Sequence, residues 1–92
     1  MQLDIISPEV TFFSGKVTSV TVPGVEGEFQ ILDNHAPIVS VLTSGKVKIQ
    51  TDSIERSTTF QERFSKEANK YVLLIESGTL EMKDNKVVIL IG

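Results

Sequence analysis

One histidine occurs in the chain, His35, and it lies in the stretch EGEFQILDNHAPIVS that runs from residue 26 to residue 40. An imidazole two residues from the carboxylate of Asp33 could work as a general base, and Ser40 or Thr43 would offer it a hydroxyl to activate. Glu28, Asp33 and His35 also supply donors a metal ion could use, though without a thiolate or a second imidazole. Glu26 and Glu28 flank Gly27, and in an extended chain both carboxylates would point to one side, as an acid and base pair requires. Physical objections meet each of these. Asp33-Asn34 ahead of Ala36-Pro37 is turn chemistry, which places His35 in a loop more readily than in a closed site. Carboxylates just after Pro23-Gly24 would be solvated, whereas acid and base work needs a cleft that separates their proton affinities. Gly15-Lys16 and Gly45-Lys46 end like phosphate-binding loops, but Val follows each lysine where Ser or Thr is needed, and the earlier glycine is missing. Gly24 and Gly27 likewise fall short of a dinucleotide fingerprint, so no nucleotide cofactor is indicated.

The elements that would hold these residues belong to a small protein. A chain of 92 residues forms one domain with room for one core. With 40% hydrophobic and 23% charged residues it has the composition of a folded globular protein. A net charge of −3, with lysines and arginines scattered, gives no basic stripe for a nucleic-acid backbone. The longest apolar run, Val87 to Ile91, is far shorter than the ~20 residues a membrane helix needs, and Asp4 is out of place in a signal peptide. The absence of cysteine excludes disulfides, thiolate metal sites and a cysteine nucleophile together, and fits a reducing compartment.

Short β-rich runs separated by Gly, Pro, Asn and Asp recur about every ten residues, the pattern of a sandwich or barrel. Strands are expected near Leu3 to Ser7, Lys16 to Val22, Glu28 to Leu32, Ile38 to Leu42, Lys46 to Thr51, Tyr71 to Ile75, Thr79 to Lys83 and Lys86 to Ile91. Val17, Val20 and Val22 among Thr18, Ser19 and Thr21, and Val47 and Ile49 among Lys46, Lys48 and Gln50, predict one apolar and one wet sheet face. Ser14-Gly15, Ser44-Gly45 and Ser77-Gly78 each place a glycine free to take positive φ before a strand. Asp84-Asn85 predicts a two-residue hairpin loop. Ser53 to Phe60 is polar and β-branched, while Gln61 to Ala68 reads as a short helix carrying Phe60 and Phe64 on one face, with a strand through Phe64 as the competing reading. Phe12 and Phe13, adjacent on a strand, would point to opposite faces, so one enters the core and the other meets solvent or a partner.

Several of these segments together resemble a known family. Phe13-Ser14-Gly15, Val20-Thr21-Val22-Pro23-Gly24 with Glu26-Gly27-Glu28-Phe29, Asn34-His35-Ala36-Pro37-Ile38, Gly45-Lys46-Val47 and Ser77-Gly78-Thr79-Leu80-Glu81 closely resemble, in order and spacing, the epsilon subunit of the rotary proton-translocating ATP synthase. The resemblance covers residues 1 to 51 and 71 to 92. It implies a flattened ten-stranded β-sandwich of two antiparallel sheets, a non-catalytic subunit of the central stalk without cofactor or metal. It also implies partners: the gamma subunit, the polar loops of the membrane c-ring, and the alpha and beta subunits of the complex, at the cytoplasmic face of a bacterial inner membrane. The family's ring contact maps onto Glu28, Asp33, Asn34, His35, Ala36 and Pro37, with Glu28 placed to meet a ring arginine. Ser7, Phe13 and Ser40 map onto the gamma-facing surface. Two departures accompany the resemblance. The typical bacterial member continues into a C-terminal helical hairpin that can inhibit ATP hydrolysis or bind ATP, whereas this sequence stops at Gly92, so those properties are not carried over. Residues 52 to 70 are longer than the usual hairpin there. The competing expectations are a small hydrolase using His35, Asp33 and Ser40, and a free-standing adaptor that binds through Phe12 or Phe13.

Overall fold

Alternating apolar residues force most of this chain into half-buried strands, and ten of them are seen among the described residues. The computed structural model describes residues 1–52 and 62–92. The strands are β1 (Gln2–Ile6), β2 (Thr11–Lys16), β3 (Ser19–Gly24), β4 (Gly27–Leu32), β5 (Ile38–Leu42), β6 (Gly45–Gln50), β7 (Phe64–Glu67), β8 (Lys70–Ile75), β9 (Gly78–Lys83) and β10 (Lys86–Ile91). One layer has the order β2-β1-β10-β9-β5, the other β4-β3-β6-β8-β7. The two layers join through a single residue pair, Gly24 with Leu42.

The layers bury their inner faces against each other, as sheets with one apolar side must. Leu3, Ile5, Leu80, Met82, Val87 and Ile89 from the first layer meet Val20, Val22, Ile31, Val47, Ile49 and Leu73 from the second, all at most 3% exposed. Met1 and Val17 close one end of this core.

Four expectations are corrected. Lys16 to Val22 is not one strand. The chain changes layers at Val17-Thr18, where Val17 N–H donates to Met1 O and Thr18 N–H to Gln50 O, so a corner replaces the middle of the expected strand. The pairing is not wholly antiparallel, because β1 and β10 run parallel. The β1–β2 hairpin occupies the other edge of β1, so the last strand reaches it in the same direction. Gly15 and Gly78 are paired strand residues without positive φ. A Cβ on Gly78 would stand 2.8 Å from Leu90 O, so close approach and not φ selects glycine there. Within Gln61 to Ala68, Phe64–Glu67 forms strand β7 and not helix, because Phe64 pairs with Leu73 and turns into the core. The polar run Ser53 to Phe60 lies outside the described residues. The Asp84-Asn85 hairpin forms as expected, with φ of 51° and 59° at its two loop residues.

Candidate functional site

The segment with the histidine is the β4–β5 connection. Asn34 takes a φ of 61°, which its short polar side chain tolerates, and His35 N–H closes the turn on Leu32 O at 3.2 Å. Two further links fix the loop. Asp33 Oδ1 accepts a hydrogen bond from the Met1 ammonium at 2.6 Å, and Asn34 N–H donates to Asn85 Oδ1 at 2.7 Å. The Met1 ammonium also donates to Val17 O at 3.1 Å. A loop of exposed residues is therefore held against the corner after β2 and the β9–β10 turn. The hydrogen bond and charge of the Met1 ammonium hold the Asp33 carboxyl below its ordinary 3.8, with a smaller contribution from Asn85.

These contacts dismantle the hydrolytic arrangement. Asp33 is engaged by Met1, His35 Nδ1 lies 2.7 Å from Ala36 O, and Ser40 Oγ donates to Val41 O at 3.4 Å. No hydrogen bond joins the three among the described residues, so they form no relay from carboxylate through imidazole to hydroxyl. No cluster of three metal-ligating side chains occurs among the described residues either. Glu26 and Glu28 are not a pair on one extended face. Val25-Glu26 is the two-residue loop between paired Gly24 and Gly27, with Gly27 at a φ of 128°.

Glu28 is the second residue of β4, opposite Pro23, and its carboxylate meets Lys48 Nζ at 3.5 Å. The Asp33 loop follows the other end of β4. At the rise of a strand the two are separated by roughly 17 Å. Glu28 and His35 thus flank an edge strand and do not converge on one point. Of the residues mapped to a gamma surface, Ser7 closes the β1–β2 turn, its hydroxyl accepting from Val10 N–H at 3.1 Å. Ser40 is half-buried on β5. Phe13 is 2% exposed, packed at 6.4 Å from the Phe64 ring, so its side chain is not available to a partner. Phe12 takes the opposite side, half-buried beneath the Arg63 guanidinium at 5.7 Å from the ring centre.

Sequence reasoning missed the links that hold the loop, because Met1, Asn85 and Lys48 are distant in sequence from their partners. The expected strands also omit β2 (Thr11–Lys16), although Phe12 and Phe13 read as adjacent on a strand, and Thr11-Phe12-Phe13 carries the β-branched and aromatic signal.

Comparison with known proteins puts this architecture in context. The family model for the ATP synthase delta/epsilon chain, beta-sandwich domain, matches residues 1–92. The chain is 42% identical over 90 residues to an ATP synthase epsilon chain of Chlorobium limicola, spanning 97% of this chain and 85% of that one. Against the epsilon chain of Leptospira interrogans serovar copenhageni it is 38% identical over 90 residues, spanning 98% of this chain but 59% of the relative. A chain in the central stalk and c-ring structure of the Tetrahymena thermophila mitochondrial ATP synthase shares the fold, with a TM-score of 0.72 at 18% identity, covering 98% of this chain and 61% of that one. With this β-sandwich matched from its first residue to its last, the chain belongs to the ATP synthase delta/epsilon chain family.

Proposed function

We propose that this chain is a non-catalytic subunit of the central stalk of a proton-translocating ATP synthase, linking the gamma subunit to the c-ring and helping couple proton flow to ATP synthesis. The single observation behind this reading is the family match over the full length of the sandwich, made with relatives named as epsilon chains. The geometry agrees with a part that docks and does not react. Ser7 and Asn85 are engaged in fixing turns, and the exposed loop is tethered at both Asp33 and Asn34.

On this reading the ring contact runs along the β4 edge, from Glu28 to the Asp33, Asn34, His35, Ala36 and Pro37 loop, because those residues lie in a line. Ser7 and Ser40 stand toward gamma, and the alpha and beta subunits are partners within the complex. The protein sits peripherally on the cytoplasmic side of the membrane. No helix among the described residues is long and apolar enough to cross it.

Purification of the intact synthase from membranes, followed by peptide identification, tests the proposal. The chain should be present in the coupled complex and should leave it together with gamma. A coupled, ATP-synthesising complex that lacks it would refute the reading.

A further inference from the structure

Three parts of the fold meet at the backbone of Met1. Its ammonium donates to Val17 O at 3.1 Å, at the corner between the layers, and to Asp33 Oδ1 at 2.6 Å, in the β4–β5 loop. Its carbonyl accepts from Val17 N–H at 2.9 Å, and Gln2 N–H donates to Asn85 O at 3.1 Å in the β9–β10 turn. The Met1 side chain is fully buried and packs in the core, which fixes the nitrogen in place. Asp33 is the reverse: its side chain is 61% exposed, and it has no other ion pair among the described residues.

The chemistry of that nitrogen decides whether both of its bonds can exist. An ammonium is tetrahedral and charged, with three hydrogens to donate, whereas an amide nitrogen is planar and uncharged, with one. A single N–H cannot make full hydrogen bonds to both Val17 O and Asp33 Oδ1, and whichever it keeps, Asp33 loses its cation. Any acyl group on Met1 therefore removes the charge-assisted bond, the stronger kind. The low proton affinity of the Asp33 carboxyl, caused first by this amine, is a second sign of the coupling. Without that bond, one hydrogen bond among the described residues ties the loop to another element, Asn34 N–H to Asn85 Oδ1.

We propose that the Met1 α-amine is a modification site that governs the β4–β5 loop: the loop docks when the amine is free and is released when it carries an acyl group, such as the formyl group of an initiator methionine. Docking then requires a prior hydrolysis. Water adds to the formyl carbon, the C–N bond breaks, formate leaves, and the freed nitrogen takes up a proton to become the ammonium that meets Asp33. The reaction class is that of an amidohydrolase acting on N-formylmethionine at a chain end. It must act before the core closes, because the methionine side chain it would have to bind is fully buried afterwards. None of this depends on which partner the loop meets.

Hydrogen exchange of the full chain tests this, with the protein prepared both with a free Met1 amine and with formyl-Met1 from cells in which deformylation is blocked. The Asn34 and His35 amides, which donate to Asn85 Oδ1 and Leu32 O, should exchange about three- to tenfold faster in the formylated chain. Unchanged chemical shifts of Val47 and Ile49 in β6 should show that the sandwich is intact. The Asp33 carboxyl, followed by carbon NMR, should titrate below 3.8 in the free chain and move up toward 3.8 on formylation. Asp33→Ala keeps the bonds between Met1 and Val17, so it should quicken the same two amides in a folded chain. Formylation should then add little, since both changes remove one bond. Equal exchange and equal Asp33 titration in the free and formylated chains would overturn the proposal, and so would additive effects of the two changes. Mass measurement of the first peptide of the protein isolated from its own cells should find Met1 unblocked. A retained formyl group, or residues ahead of Met1, would overturn it as well.

Discussion

Asp4 lies on the outer face of β1, where the Ser14 hydroxyl donates to it at 2.6 Å. That bond, with Gln2 and the Lys86 charge, outweighs partial burial and holds its carboxyl below the ordinary 3.8. A depressed folded value contributes stability that is complete above the unfolded value and is lost as pH falls through the folded one. Asp33 shifts in the same direction. Urea midpoints should therefore be level near neutrality and fall below about pH 4, and Asp4→Asn should flatten part of that fall. An equal slope in wild type and variant would show that other carboxylates carry it. Glu28 poses a different question, because Lys48 already holds it inside the chain at 3.5 Å. Under the ring-contact proposal, Glu28→Lys should lower coupled ATP synthesis in membrane vesicles more than Glu28→Gln. Repulsion by Lys48 would contribute to any such loss, and the exchange Glu28→Lys with Lys48→Glu separates the causes. The exchange rebuilds the internal pair, worth about 0.2 to 1 kcal/mol when exposed, but offers the ring the wrong sign at position 28. Coupling should stay low in the exchange, and full recovery would make Glu28 an internal structural residue only.

At the scale of elements, turns decide which parts of the fold were legible. Asp84-Asn85 was readable because both residue types tolerate the left-handed region that a two-residue loop imposes. The matching loop after β7 was not, because its first residue is Ala68, held at a φ of 54° with nothing in its side chain to favour it. Ala68→Gly should accordingly stabilise the protein by about 0.5 to 1 kcal/mol, measured by urea unfolding, since it relieves a Cβ clash at an exposed site. A loss of stability would mean that entropy gained by the unfolded chain exceeds the strain relieved. Alternation located β6, β9 and β10 to within a residue or two, since Val47 with Ile49 and Val87 with Ile89 all point inward. It failed at Lys16 to Val22, where inward valines on both sides of a corner mimic one continuous strand. The candidate site was legible as a turn with an exposed histidine. Its tethers were not, because a hydrogen bond from Met1 to Asp33 leaves no local pattern.

In the whole molecule one core lies behind the outer faces of both layers. Ile89 is fully buried on β10, the strand that carries Leu90 on the other side. Ile89→Ala should cost about 2 to 5 kcal/mol in equilibrium unfolding, a large share of the stability of a domain this small. It should also weaken docking through the opposite face if that layer is the gamma surface, although the truncated side chain faces the core and would touch no partner. A variant that loses the stability but binds gamma as wild type at low temperature would show that the two faces are energetically separate. The parallel pair of β1 and β10 adds a condition in time. Leu3 finds its neighbour Val87 only across a separation of 84 residues in sequence, so the layer that holds β1 and β10 is completed after the other. A half-made chain would have β3, β4 and β6 in hand, but β1 would still lack its parallel neighbour β10. Synthesis order thus fixes an order of assembly: the outer face of that layer cannot exist before β10 has been made.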